Sequence, residues 1–337
     1  MSAGRRRTAT RDDVARQAGV STAVVSYVVN NGPKPVAPKT AARVREAIEL
    51  LDYRPNPSAK ALRKGSTDIV GLVLSDADNP FYTEYASAIS AEAFRRGRAL
   101  MIGAGRHDLA MENRLIDDLL GRQVDGIIAA SVSPEPSRTL RRSTRMPPLV
   151  LLDASGPVLG CAGVGLDGAH AARLAVDHLV QVHGHRRVGI ILGEPNGTLV
   201  DARETGWRAA LSDAALPGGP LVQVSWTRDG GYEAGRLLLD AEEPPTAVFA
   251  CSDLLAVGLL RAAHERGLSV PEDLAVISFD GTKEAEYSWP PLTVVAQPIA
   301  AMAEAAVSFA LDRSLATSFA QFQGELMVRR SCGCPGA

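Results

Sequence analysis

The residues with the clearest chemical capacity in this 337-residue chain are basic ones crowded at its amino end. Residues 1–64 hold 13 Lys and Arg, five of them within the first 16 positions, against five Asp and Glu. Their formal charge is +8, whereas the whole chain carries −2, so the remaining residues carry −10. Clustered cations bind polyanions because they release the counterions condensed on phosphates. Nucleic acid is therefore the first candidate partner of this end, although on charge alone a basic tail that only solvates the segment explains the bias equally well.

Residues that could hold a metal or act as nucleophiles are few. The four cysteines are scattered along the chain or lie in its tail, at Cys161, Cys251, Cys332 and Cys334. Their spacing is typical neither of a disulfide framework nor of a zinc site, so we interpret them as reduced and structurally incidental. The segment H-G-H-R-R, residues 183–187, precedes a predicted strand and indicates a polar turn rather than a metal site.

Sequence signatures of catalysis are absent. The chain has no P-loop, G-x-S-x-G or H-E-x-x-H motif. The segment G-A-G-R-H-D at 103–108 begins like a dinucleotide-binding loop but lacks the final glycine. An enzyme stays the main rival class, because doubly wound sheets are common in catalysis. We nevertheless expect no catalytic residues, no cofactor and no metal.

The composition of the chain limits the cellular compartments in which we expect it. No apolar run approaches the ~18–20 residues of a membrane span, and the first twenty residues contain no apolar signal-peptide core. With 46% apolar and 22% charged residues, the chain has the composition of a globular protein, and its length predicts more than one domain. We therefore expect a cytoplasmic protein and not an exported one.

The elements that must position the basic residues are short helices. Apolar residues recur at helical spacing within 14–18 and again within 24–28. Thr10 can cap the first helix, with Asp13 in the place that completes a capping box, and Gly19 can end it in a left-handed conformation. Ser21 can cap the second helix. Two short helices joined by a glycine-containing turn predict a helix-turn-helix, whose second helix has the size to enter a major groove.

A third amphipathic helix is predicted to close this core. Pro38 stands near its start, where proline is tolerated. The apolar residues that form its buried stripe are Val44, Ala47, Ile48 and Leu51. On pattern alone, a generic αα-hairpin remains the alternative to a DNA-reading unit.

The stretch from Thr10 through Y-R-P-N at 53–56 to A-L-R at 61–63 closely resembles the reader and hinge of the lactose repressor/galactose repressor (LacI/GalR) family. Further motifs follow in the family's order over nearly all the chain: D-N-P-F-Y at 78–82, V-D-G-I-I at 124–128, S-D-L-L-A-V-G at 252–258 and P-P-L-T at 290–293. The resemblance implies a sequence-specific transcription regulator, expected to be a repressor, whose operator affinity is controlled by a small-molecule effector. It also implies a homodimer on an inverted-repeat operator, with higher assembly left open.

The resemblance assigns DNA contacts to positions of this chain. Thr22 and Ala23 match positions that point at base edges in the major groove. The family often carries Arg where Tyr27 stands, so a preference for guanine there is not carried over, and Ala37 replaces a common helix-capping Ser. The DNA-binding residues implied are Thr10, Ser21, Thr22, Ala23, Ser26, Tyr27, Asn30, Thr40, Asn56, Ala59 and Leu62.

The hinge, residues 56–65, is too short to form a stable helix alone. In the family it folds when two copies meet in the minor groove, where a leucine wedges between base pairs and kinks the duplex. Leu62 matches that leucine. A leucine that only covers nearby apolar surface is the alternative.

From Ile69 onward, short apolar runs alternate with helical stretches, at 69–74, 99–103, 126–130, 149–152, 187–192, 247–250 and 274–279. Such runs are typical of parallel sheets buried on both faces. The resemblance implies the fold of periplasmic sugar-binding proteins, two α/β lobes with a ligand cleft at the C-terminal ends of the strands. We predict a multi-domain protein with an all-α helix-turn-helix domain at 8–55, the hinge, and a two-lobed, periplasmic-binding-protein-like α/β sensor at 66–337, divided into 66–165 plus 295–323 and 166–294 plus 324–337.

Residues that match the family's effector contacts follow predicted strands: Asn79, Phe81, Asp153, Asp167, Arg203, Trp226, Asp253 and Asp280. Hydrogen-bonding groups beside aromatic faces suit a polyhydroxylated ligand, because each buried hydroxyl left unpaired costs about 1–3 kcal/mol. A sugar or sugar derivative is the expected effector. Taken singly, a carboxylate after a strand more often caps a helix, and a Trp more often packs in a core. Gly281 stands where many relatives carry a second acidic residue, and this departure leaves the effector unidentified.

Overall fold

The computed structural model describes residues 9–30, 34–54, 61, 65–106, 108–130, 146–194 and 200–335. The chain divides into two compact units, residues 1–67 and 68–337. None of the helices in the described ranges has the length and apolar character that crossing a bilayer requires.

In its described residues, the first unit is a three-helix core. Its helices are α1 (Arg11–Ala18), α2 (Thr22–Asn30) and α3 (Pro38–Leu50). The side chains buried between them are Val14, Ala15, Ala18, Val25, Val44, Ala47 and Tyr53. Ile48 and Leu51 pack against this core. The three predicted helices and their apolar stripes are therefore confirmed.

Local polar contacts set the ends of the first two helices. The amide of Asp13 donates to Thr10 Oγ1 at 3.3 Å, and the amide of Thr10 donates to Asp13 Oδ2 at 2.9 Å, which is the predicted capping box. Gly19 ends α1 at φ 61°, a conformation that costs glycine little. Ser21 Oγ accepts from the amide of Val24 at 3.4 Å, as a cap of α2 does. Ala37 provides no side-chain cap to α3.

The second unit contains two six-stranded sheets. Sheet A has the order β11-β5-β4-β3-β1-β2, and sheet B the order β12-β10-β9-β8-β6-β7. All paired strands are parallel except β10 and β12. Sheet A consists of β1 (Ile69–Leu74), β2 (Ala99–Ala104), β3 (Gly126–Ala129), β4 (Leu149–Leu151), β5 (Ala162–Leu166) and β11 (Phe319–Phe322). Sheet B consists of β6 (Val188–Gly193), β7 (Leu221–Val224), β8 (Ala247–Ala250), β9 (Ala275–Asp280), β10 (Thr293–Ala296) and β12 (Glu325–Met327).

Helices connect these strands and cover both sheets. Those attached to sheet A are α4 (Pro80–Arg95), α5 (Leu109–Gly121) and α11 (Ile299–Leu311). Those attached to sheet B are α6 (Gly168–Asp177), α7 (Ala202–Asp213), α8 (Arg228–Leu239), α9 (Asp253–Glu265) and α10 (Lys283–Tyr287). A π-helical turn, His178–Val182, extends α6, and a 3-10 turn, Arg313–Leu315, follows α11.

Along the strands of the described ranges, the chain crosses between the sheets three times: after β5, after β10 and between β11 and β12. The second crossing comes two residues later than the sequence predicted, because Val295 and Ala296 still pair with β9 in sheet B. This connectivity places the C-terminal ends of the parallel strands of both sheets where a ligand cleft is expected.

Candidate functional site

The first candidate surface is the start of α2. Ser21, Thr22 and Ala23 are all exposed there, whereas Val25 is fully buried beneath them. A hydroxyl that donates or accepts and two small methyl groups are groups that read base edges and thymine methyls. Ser26 and Tyr27 are half-buried one turn later.

The remaining expected DNA contacts in this unit are distributed around its polar face. Asn30 is exposed, and its Nδ2 donates to Ser26 O at 3.0 Å. Thr10 is exposed while its hydroxyl takes part in the capping box, and Thr40 is half-buried in the first turn of α3. The other three expected contacts, Asn56, Ala59 and Leu62, lie outside the described residues.

The second candidate site lies at the C-terminal ends of the strands and centres on Arg203. We call Arg203, Asp201, Trp226, Asp280 and Asp153 the Arg203 cluster. Trp226 follows β7, Asp280 ends β9, and Asp153 follows β4 in the other sheet. Arg203 lies in the first turn of α7, where Asp201 is the N-cap and accepts from the Arg203 amide at 2.8 Å.

The guanidinium of Arg203 is held on three sides. Its Nε and Nη2 donate to the two carboxylate oxygens of Asp201 at 2.9 and 2.7 Å, and its Nη1 donates to Cys251 O at 3.0 Å. The Arg203 Cζ lies 4.8 Å from the ring centroid of Trp226 and 5.1 Å from that of Phe279. Burial works against this charge, but Asp201 outweighs it and raises the Arg203 pKa, while the same contacts lower the pKa of Asp201.

These bonds leave two guanidinium donors. A guanidinium has about five N–H groups, and contacts with the described residues engage three of those in Arg203. Counted against the described residues alone, one N–H on each terminal nitrogen therefore remains for a ligand. Trp226 reaches its position because Gly193 has no side chain: a Cβ there would come within 1.8 Å of the indole.

The sheet A lobe contributes Asp153 and Tyr82. The Tyr82 hydroxyl donates to Asp153 Oδ2 at 2.9 Å. The surrounding protein desolvates Asp153 and raises its pKa, which Tyr82 and the Arg203 charge partly offset, although the Asp153 side chain stays accessible to solvent. The Tyr82 pKa is raised by burial and then by the nearby Asp153 charge. This pair thus offers a carboxylate and a phenol to the cleft.

Asp253 lies at the start of α9 and is 2% exposed. Its Oδ1 accepts from Ser278 Oγ at 2.6 Å, and its Oδ2 accepts from the amide and hydroxyl of Thr282 at 2.7 and 2.8 Å. Burial raises the Asp253 pKa to about 6. The sequence predicted Asp253 as an effector contact; in the structure its oxygens tie the loop after β9 to α9.

Asp280 is 6% exposed and accepts from Gln297 Nε2 at 2.8 Å. Burial raises its pKa, and the negative charge of Asp253 raises it further. Gly281, at φ 81°, follows at once, and a Cβ there would come within 2.7 Å of Ala296 Cβ. A side chain at position 281 therefore has no room in this backbone conformation.

The other three expected effector residues make structural contacts. Asn79 caps α4 and accepts from the Phe81 amide at 3.0 Å. Phe81 is 4% exposed and packs its ring edge-to-face on Tyr82 and Tyr85, whereas the half-buried Tyr82 reaches Asp153. Asp167 caps α6 and accepts from the His170 amide at 3.0 Å.

Sequence reasoning missed three residues of this site: Tyr82, Asp201 and Gln297. Tyr82 ends the D-N-P-F-Y motif, and Asp201 stands two positions before Arg203, so both residues could have been predicted from the sequence. Gln297 follows β10, a strand that the hydrophobic pattern did not reveal. Together the cluster presents a cation bonded to Asp201, the carboxyl groups of Asp153 and Asp280, and an aromatic face, which are groups that can form hydrogen bonds and stack against a ligand.

Comparisons with known proteins agree with both units. The profile of the bacterial regulatory proteins, lacI family, matches residues 10–56, and that of the periplasmic binding protein-like domain matches residues 176–332. The HTH-type transcriptional repressor PurR of Haemophilus influenzae (strain PittEE) is 33% identical over 312 residues, which cover 90% of this chain and 91% of that protein.

Solved structures extend the likeness to the whole fold. The lac repressor dimer bound to operator and the anti-inducer ONPF has a TM-score of 0.86 at 25% identity and covers 97% of this chain and 99% of that one. The complex of the transcriptional regulator CelR with cellobiose has a TM-score of 0.71 at 30% identity and covers 96% and 99%. The chain thus belongs to the LacI/GalR family of DNA-binding transcription regulators.

Proposed function

We propose that this chain represses transcription as a homodimer on an inverted-repeat operator and releases or tightens that operator when a carbohydrate binds the Arg203 cluster. The observation that carries the effector part is the clamped guanidinium of Arg203, which bonds to Asp201 and interacts electrostatically with Asp280 of the same lobe and with Asp153 of the other lobe. A fixed cation with two remaining donors orients a ligand without first having to be ordered itself.

In the reader, Ser21, Thr22 and Ala23 are proposed to reach base edges, since they are the exposed residues of the first turn of α2. Tyr27, Asn30 and the hinge leucine are proposed to contact the DNA around them. One reader offers few base contacts, so two copies related by a two-fold axis are needed for a specific site. Because the operator is chromosomal, we propose the cytoplasm as the compartment.

The Arg203 cluster suits a sugar better than it suits a flat heterocycle that has no hydroxyl groups. Hydroxyl groups can donate to the carboxylates of Asp153 and Asp280 and accept from Arg203, while the indole of Trp226 covers an apolar ring face. The CelR relative was solved with cellobiose, a ligand of this chemical class.

Three measurements test the proposal on the full-length protein. Selection from random duplexes should yield an inverted repeat, and a thermal-shift screen of sugars, sugar phosphates and nucleosides should find a sugar that raises the melting temperature, because it binds only the folded state. The same sugar should change operator affinity in fluorescence anisotropy. A selected site without two-fold symmetry would contradict the dimer, and a response confined to nucleosides would contradict the sugar.

A further inference from the structure

Four metal-binding side chains come together away from the Arg203 cluster. They are His178, His183, Cys332 and Cys334, and their ligand atoms lie within 4.8 Å of one another among the described residues. The sequence predicted incidental cysteines and a polar turn at H-G-H-R-R. The fold instead brings the turn and the C-terminal segment together although they are about 150 residues apart.

The distances within this His-Cys cluster resemble those of a tetrahedral site. Bonds of about 2.0–2.1 Å to nitrogen and 2.3 Å to sulfur place tetrahedral ligands roughly 3.3 Å apart for two nitrogens and 3.6 Å for nitrogen and sulfur. The two histidine Nε2 atoms are 3.2 Å apart, and Cys334 Sγ lies 3.5 and 3.3 Å from them. An ion at their centre would require little rearrangement of these three groups.

Local structure holds the four side chains in place. His178 opens the π-helical turn and His183 follows its end, so the wider turn brings both imidazoles to one side. On the other segment, Ser331 Oγ donates to Val276 O at 2.6 Å and accepts from the Thr293 amide at 2.8 Å. Gly333 at φ 104° then turns the chain, so that Cys334 faces the histidines.

Thr293 also prepares the sulfur of Cys332 for a cation. Its Oγ1 accepts from the Arg329 amide at 2.9 Å, and that oxygen lies 3.1 Å from Cys332 Sγ. The Thr293 hydroxyl therefore donates to the sulfur, and the proton that Cys332 Sγ shares with Arg329 O at 3.8 Å would be released when a cation binds. Hydrogen bonds of this kind orient and stabilise metal ligands.

We propose that His178, His183, Cys332 and Cys334 form a structural Zn²⁺ site that fastens the C-terminal segment to the end of α6. Two nitrogen and two thiolate ligands suit Zn²⁺, and four protein ligands leave no position open for a substrate. The ion links a helix of the sheet B lobe to the segment that follows β12. Its binding therefore stabilises that lobe and is independent of the effector.

The test uses full-length protein purified under reducing conditions without chelators. Elemental analysis should find one Zn²⁺ per chain, and Co²⁺ in its place should give the strong visible bands of four-coordinate cobalt with a thiolate charge-transfer band. Cys334→Ser and His183→Asn should lose stoichiometric metal and the cobalt spectrum. His264→Asn, which alters an exposed histidine on α9, should retain both.

Circular dichroism distinguishes a variant that has lost metal binding from one that has lost its fold. Both substituted residues are half-buried, so both variants should stay folded. Removing the metal from the wild type should lower its melting temperature but not that of Cys334→Ser. Substoichiometric metal in the wild type, a cobalt spectrum without thiolate character, or a Cys332–Cys334 disulfide under these reducing conditions would each overturn the site.

Discussion

The two lobes contribute to the proposed effector site in different ways. In the sheet B lobe, Arg203 and Asp253 are each held by several hydrogen bonds to their own lobe. In the sheet A lobe, the accessible Asp153 is held by the Tyr82 hydroxyl. One wall of the cleft is thus built before a ligand arrives, whereas the other keeps its polar groups adjustable. The difference suggests that affinity resides mainly in the sheet B lobe, because preorganised groups lose little freedom on binding.

The largest effect on stability is expected when the carboxylate that holds the sheet B side of the site is removed. Asp253→Ala should lower the free energy of unfolding by about 4 kcal/mol, since it leaves buried donors of Ser278 and Thr282 without an acceptor. Asp312→Ala, which removes an exposed cap, should cost only about 1 kcal/mol. Denaturant unfolding measures both. Equal costs would mean that Asp253 does not brace the wall.

The pH dependence of the free energy of unfolding is a second test of the role of Asp253. Burial raises the Asp253 pKa from 3.8 to about 6, so its contribution to stability is present below the lower value and is lost as pH rises through the higher one. Relative to Asp253→Asn, which does not titrate there, the wild type should lose up to about 3 kcal/mol between pH 4 and 7. A difference between the two proteins that stays constant across this range would refute the shift.

Arg203→Ala should remove most of the effector affinity. The loss of a charged hydrogen-bond donor costs about 1.5–3 kcal/mol, or roughly 10- to 100-fold in the effector Kd. Ligand-free operator affinity should stay within about twofold because reader and sensor are separate units. The matched control is Arg208→Ala on the exposed face of the same helix. Titration calorimetry and operator anisotropy measure the two affinities, and an unchanged response would remove Arg203 from the site.

Trp226→Ala should have a moderate effect. It removes the ring that faces both the Arg203 guanidinium and the ligand, for which we expect about 1 kcal/mol, or roughly fivefold weaker effector binding. Trp289→Ala is the control, since that indole is 83% exposed. Calorimetry on the two variants decides, and equal affinities would place Trp226 outside the ligand site.

The smallest effect is expected from the adjustable wall. Asp153→Asn keeps an oxygen that can accept from Tyr82, and the side chain is accessible to solvent, so the free energy of unfolding should change by less than about 0.5 kcal/mol. Effector affinity should fall less than in Arg203→Ala. A larger loss of affinity in Asp153→Asn would reverse the contrast between the lobes.

Much of the fold was predictable because its signals are local. Thr10, Asp13 and Gly19 set the ends of α1 through contacts within a few residues, and the central strands are runs buried on both faces. β5 and β7 were missed for physical reasons. The first is interrupted by glycines, and the second lies at a sheet edge, where three of its four residues remain partly exposed.

The site was less predictable because its contacts are distant in sequence. Tyr82 and Asp153 are 71 positions apart, and Cys334 and His178 are 156 apart, so neither pair leaves a motif. The pattern also could not distinguish Phe81 from Tyr82. Phe81 enters the core, where it packs on Tyr85, whereas Tyr82 reaches Asp153. These tertiary contacts are not visible in the sequence.

The last two strands of the chain complete different sheets. β11 is an edge strand of sheet A and β12 is an edge strand of sheet B. During synthesis, both lobes therefore wait for the final stretch of the polypeptide before the borders at β5 and β10 are covered. Uncovered strand borders pair with other chains. A premature stop codon after α11 would thus leave the edges of β5 and β10 uncovered in one molecule. We expect chaperones and proteases to act on such a protein, so that it would not persist as a half-active regulator.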